Sequence, residues 1–175
     1  MTVDYTSDEA RTIELWIAML AGSATWKALV GAGTAATAKA RILESDGGSN
    51  PELDGVATNV LGEQIEITAS PFLAFALVHA DEFPAEERAL NCERRTGEIR
   101  TRVYCPIVSD DTAPERFRRT RNSAGLIRSE CRALFGTTGC LMRGSITLAG
   151  PWLPDDTGWL ADSALVFDLI TTWRA

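Results

Sequence analysis

The chain has one histidine, His79, with Asp81 and Glu82 just after it. A nucleophile–His–acid triad would have to be built on that imidazole. No Gly-x-Ser-x-Gly turn is present to expose a serine nucleophile. With a divalent ion, His79, Asp81 and Glu82 would instead suit a small metal-dependent hydrolase. Further acidic pairs stand at Glu86-Glu87, Asp110-Asp111 and Asp155-Asp156. Calcium loops place oxygen ligands at alternating positions around a turn glycine, and none of these stretches has that pattern. Glycosidases need two carboxylates facing one bond, and nothing in the sequence pairs one of these acids with another. The cysteines, Cys92, Cys105, Cys131 and Cys140, include no Cys-x-x-Cys, so a Cys/His zinc site has little support. Gly31-Ala-Gly33 lacks the third glycine and the preceding strand of a dinucleotide loop, and no phosphate-binding Gly-x-x-x-x-Gly-Lys occurs. The expectation is a chain that is not an enzyme and holds no cofactor or metal.

Arginine is more plentiful. Arg116, Arg118, Arg119, Arg121, Arg128 and Arg132 fall within one segment, and Arg94, Arg95, Arg100 and Arg102 precede it. On a helix, positions 118, 121, 128 and 132 lie broadly along one side. Three readings stand: a solvated face, ion pairs to the acidic stretch of a neighbouring copy, or contact with DNA phosphates. Arginine suits the second because its planar fork binds carboxylate two ways. Trp152 and Trp159 sit in a stretch rich in Pro, Asp and Gly, either tucked onto the core or serving as interface anchors. The candidate interface is Arg116, Arg118, Arg119 and Arg121, with Asp81, Glu82, Glu86 and Glu87 as the opposing charge, and Trp152 and Trp159.

The whole-chain charge agrees with a surface that meets its own opposite. The net charge is −7, yet residues 1–87 carry 4 basic and 14 acidic side chains while residues 88–175 carry 13 basic and 10 acidic. Complementary charge fixes register and partner choice. An acidic total argues against a dedicated nucleic-acid binder. The opening Met-Thr-Val-Asp-Tyr-Thr has no basic or apolar signal region, and no apolar run approaches a membrane span. Folding in the cytosol with free thiols is expected.

The elements that must position these residues follow from periodicity. At 175 residues and 45% apolar composition, one domain is the default. Thr6-Ser7-Asp8-Glu9 opens a helix in which Ile13, Trp16, Ile17 and Leu20 share a face. A short helix follows over 24–30, then an Ala-, Gly- and Thr-rich stretch, then a short strand or arm at 39–43. Residues 44–64 read as a flexible loop or arm. An apolar strand runs over 71–80, an acidic loop over 81–87, and a half-buried strand over 97–108, with Thr101 its polar exception. A helix spans 113–135, where Gly125 is a point of kinking, and strands cover 141–148 and 163–173. The expected fold is α+β: a four-stranded, mostly antiparallel sheet with helices on one face, in the order helix, helix, strand, strand, helix, strand, strand.

Leu-Ala-Gly-Ser-Ala-Thr-Trp-Lys-Ala-Leu-Val-Gly at 20–31 and Lys-Ala-Arg-Ile at 39–42 resemble tail proteins of long-tailed bacteriophages. So do Gly-Glu-Ile-Arg-Thr-Arg-Val at 97–103, Gly-Leu-Ile-Arg-Ser-Glu at 125–130, and the closing strand. The element order resembles that of tail terminator proteins. The resemblance implies a non-enzymatic α+β chain assembled as a ring, commonly a hexamer, in the neck of the virion tail after assembly in the host cytoplasm. It implies a tail tube protein on one side, a head–tail connector protein on the other, and genomic DNA passing through the lumen without specific binding. Another neck or minor tail component fits the same resemblance.

Overall fold

Ile13, Trp16, Ile17 and Leu20 do fall on one face of a helix, and that helix is the lid of the main core. The computed structural model describes residues 8–45, 55–68, 72–87, 93–135, 145–154 and 163–174. Three helices come first: α1 (Asp8–Gly22), α2 (Ala24–Leu29) and α3 (Ala35–Lys39). Ser23 ends the first and caps the second, its hydroxyl accepting from the Trp26 N–H at 3.0 Å. Thr34 and Thr37 cap α3 reciprocally.

The strands are β1 (Ile42–Glu44), β2 (Val56–Thr58), β3 (Gln64–Glu66), β4 (Phe75–Glu87), β5 (Glu93–Pro106), β6 (Ile146–Trp152) and β7 (Ala164–Arg174). Helix α4 (Ala113–Ala133) lies between β5 and β6. The main sheet has order β1-β4-β5-β7-β6. Its β4–β5, β5–β7 and β6–β7 pairs are antiparallel, whereas β1 runs parallel to β4. The fold is therefore α+β, but the sheet is mixed and five-stranded, not four-stranded. The fifth strand is the short segment after α3. Arg41 holds it against the start of β4, donating to the carbonyls of Leu73 at 2.8 Å and Ala74 at 3.1 Å.

Three other expectations are corrected. Within the expected arm at 44–64, β2 and β3 form an antiparallel two-stranded sheet. Asn59 shapes its turn, the side-chain oxygen accepting from the N–H groups of Leu61 and Glu63, both at 2.9 Å. The acidic stretch 81–87 is strand, not loop, because β5 satisfies its backbone; a register shift between Phe83 and Glu86 accommodates Pro84. Gly125 does not interrupt α4.

The sheet separates two apolar clusters. The helices cover one face, where Trp16, Leu20, Val78, Ile99, Val103 and Phe167 are buried. Thr101, the polar exception in β5, is buried because it accepts the indole N–H of Trp16 at 2.7 Å. The opposite face buries Phe75, Leu77, Tyr104 and Val166 under Ile65 and Ile67. Phe75 and Tyr104 stack with centroids 4.4 Å apart.

Candidate assembly interface

Helix α4 is built to present arginine. Its face on the sheet is Thr120, Ala124, Ile127 and Cys131, all buried. At 100° per residue, Glu130 lies roughly 90° to one side of that face. There its carboxylate accepts from the Ser23 hydroxyl at 2.5 Å, the Thr25 hydroxyl at 2.8 Å and the Thr25 N–H at 3.1 Å, which ties α4 to the start of α2. Burial alone would raise the Glu130 pKa, but these donors hold it below its ordinary 4.5.

Arg121, Arg128 and Arg132 lie roughly 70–110° to the other side, with Arg118 further out. Since α4 packs on β6 and β7 and touches α2 through its Glu130 flank, the arginine flank faces outward on the β6 side of the sheet. Arg118, Arg121, Arg128 and Arg132 are exposed. Among the described residues none of the four has an ion-pair partner; Arg132 lies over the Phe135 ring at 5.1 Å.

The other two arginines of the sequence-derived set turn inward to the chain itself. Arg119 clasps Asp111 through two bonds of 2.7 Å, which holds the Asp111 pKa below its ordinary value. Arg116 donates to the carbonyls of Asp111 at 2.8 Å and Ser109 at 3.3 Å. Both brace the loop that leads into α4. Arg128, at the centre of the flank and without an ion-pair partner among the described residues, joins the candidate set. The signal for it was the i, i+7 spacing from Arg121.

Asp81, Glu82, Glu86 and Glu87 come from the far part of β4. Strand β1 reaches only Ala76–Val78, with the Ser45 N–H bonded to the Val78 carbonyl at 2.8 Å. From His79 to Glu87, β4 pairs with β5 on one side and with no described strand on the other. The acidic residues therefore belong to a strand segment that, among the described residues, pairs with β5 alone. His79 is half-buried in the same strand, opposite Arg100 in register, with Asp81 opposite Glu98 and Glu82 opposite Gly97. Among the described residues no three His, Cys, Asp or Glu side chains are grouped to hold a metal ion.

Trp152 is tucked in, not projected. It packs against the second apolar cluster with the Arg102 guanidinium 6.0 Å from its ring centre. Its ring lies across Gly150, where an added Cβ would come 2.5 Å from Cζ3 and where φ is +101°. Arg102 in turn is paired with Asp168 on β7 at 3.0 and 3.2 Å. Trp159 lies outside the described residues, as do Cys92 and Cys140. Cys105 and Cys131 are free and buried, and burial pushes both thiols up to about 12. No helix among the described residues is long and apolar enough to cross a membrane.

No family model matches this chain, and no curated protein matches it. Among solved structures it is similar to a protein titled Np_888769.1, at 16% identity over 96% of each chain with a TM-score of 0.43. A likeness at that distance says nothing about what this chain does.

Proposed function

We propose that this chain is a structural protein of a long-tailed phage particle, forming a ring at the end of the tail tube that terminates the tail and joins it to the head connector. The observation that supports the reading is the acidic far part of β4, which among the described residues pairs with β5 alone. From Asp81 to Glu87 the β4 backbone pairs with β5 on one side, and among the described residues no strand pairs with it on the other. Open strand edges template pairing with further chain unless they are covered. The segment is long and carries Asp81, Glu82, Glu86 and Glu87, with a register shift around Pro84, so charge complementarity and not strand addition is the means by which it would select a neighbour. The sequence resemblance supplies the context, with the tail tube protein and the connector as neighbours and DNA passing through the lumen. A net charge of −7 favours passage of DNA over its retention.

The test is addition of the purified chain to polymerising tail tube protein, with tube length scored by electron microscopy. Tubes that stop short and carry a ring at one end support termination. Tubes of unchanged length with no bound chain contradict it.

A further inference from the structure

The helical layer ends differently at its two borders. At the β6 border stands the arginine flank of α4. At the β1 border a cleft of about 160 Å³ opens between α1, the end of α3, β1 and the β2–β3 turn. Ile13, Ile17 and Val60 form its apolar lining, and Glu14, Glu44 and Lys39 supply its charge. A cavity of about 150 Å³ accepts a benzene ring, so this one has room for one extended side chain. Its two acids outnumber its one base. That suits a side chain with an apolar stem and a cationic head, and arginine is such a side chain.

We propose that Arg128 of one copy seats in this cleft of the next, its methylenes on Ile13, Ile17 and Val60 and its guanidinium toward Glu14 and Glu44. This rests on the ring reading above and names a contact that makes the ring. Three features favour a second copy as the occupant. The first is charge. Arg118, Arg121, Arg128 and Arg132 are exposed on α4, and Glu14 and Glu44 are exposed at the cleft. The acids of α4 are engaged elsewhere, Glu115 with Thr112 and Glu130 with Ser23 and Thr25. Flank against flank sets arginine against arginine, and cleft against cleft sets glutamate against glutamate, which leaves the heterologous contact. The second is position. Strands β1 and β6 are the two ends of the main sheet, so the two surfaces lie at opposite borders and the contact runs head to tail. Such a contact closes into a ring when its rotation permits. The third is Gly125, which lies on the same flank one turn from both Arg121 and Arg128. Glycine inside a helix costs stability relative to alanine. Yet among the described residues an added Cβ at Gly125 would meet no atom within 4 Å, so the fold of one copy does not call for it. The bare backbone there lets a neighbouring surface approach α4 closely.

The test separates contact from fold. Assembly is read by light scattering after gel filtration and by negative-stain images, with circular dichroism melts reporting the fold. Gly125→Gln is expected to raise the melting temperature, because glutamine is the better helix former. The same variant is expected to need about ten-fold or more higher concentration to assemble, because its side chain holds the neighbour away. Arg128→Glu, and separately Glu14→Lys with Glu44→Lys, are each expected to weaken assembly by a similar factor. A chain carrying all three charge changes is expected to recover rings, since every junction again joins opposite charges. Arg128→Gln serves as the milder arm should a reversal fail to fold. Wild-type-like assembly of Gly125→Gln and Arg128→Glu overturns the contact and leaves the ring reading standing. A wild-type chain that never assembles removes both. A short DNA duplex that binds wild type but not Arg128→Glu, with no recovery of assembly in the triple variant, overturns the proposal in favour of phosphate contact.

Discussion

The two faces of the main sheet are closed by different means. On the helical face, α1 and α4 lie across the strands, and the polar intruder Thr101 is met by the Trp16 indole. On the other face, the β2–β3 hairpin covers only the part around Phe75, Leu77, Tyr104 and Val166. The apolar surface stops at the Arg102–Asp168 pair and Trp152, and beyond it Arg100, Thr147 and Thr172 are exposed. The difference separates two tasks. The helical face holds the fold together from within the chain. Among the described residues the opposite face is covered only in part.

Paired substitutions across the sheet break or sharpen that contrast. Phe167, fully buried on the helical face, is expected to cost about 3–5 kcal/mol on truncation to Ala, read by urea unfolding. Phe75→Ala is expected near the low end of that range, because a two-stranded hairpin settles into a cavity more readily than packed helices do. Equal losses would mean that both faces are closed equally firmly.

Asp168→Ala comes next. Its side chain is 7% exposed and its Arg102 partner 32% exposed, so solvent retains part of the guanidinium. A loss of about 2 kcal/mol is expected, the range of hydrogen bonds to a charged group. A loss below about 0.5 kcal/mol would show that the pair does not close the edge of the apolar cluster.

Glu130→Gln is expected to cost about 1–2 kcal/mol by weakening the tie between α4 and α2. Its pH dependence has a definite sign. The folded carboxylate titrates below 4.5, so the native state releases this proton more readily than the unfolded chain. Its contribution is complete above the unfolded value and fades as pH falls through the folded one. Thermal melts from about pH 6 down to pH 3 should show the stability gap between wild type and variant closing. A gap that stays constant would mean the charge on Glu130 plays no part.

The smallest stability effect belongs to the outer arginines. Arg118→Glu with Arg121→Glu should shift unfolding by no more than about 0.5 kcal/mol, since neither side chain has an ion-pair partner among the described residues. The same change should weaken self-association. A large loss of monomer stability would place those arginines in the fold, not in assembly.

Much of the helical face was legible. Long elements with a clear period, α1, α4, β5 and β7, were read near their observed limits, and Phe75 and Phe167, within the strands expected over 71–80 and 163–173, are fully buried. Three features escaped for physical reasons. Strand β1 overlaps the short strand or arm expected at 39–43, but its membership of the main sheet escaped, because it is placed by tertiary bonds from Arg41 that no local pattern announces. Strands β2 and β3 are equally short, and their signal, an Asn59 turn with Gly62 at positive φ, lies in a stretch without apolar alternation. The 81–87 segment looked like a loop because its acids and Pro84 outweigh its apolar content, whereas the backbone is held by β5. At the candidate interface, periodicity placed the arginines on one helix but could not sort them. Arg119 meets Asp111 eight residues earlier, across the loop into α4, and only the folded chain brings them together.

The central claim is that the chain's surfaces are completed by copies of itself. Sedimentation velocity on the purified protein, at protein concentrations spanning a wide range and at low and high salt, tests it most directly. A closed hexamer-sized species that dissociates as salt rises is the predicted result. A monomer at every concentration and in low salt would contradict the account.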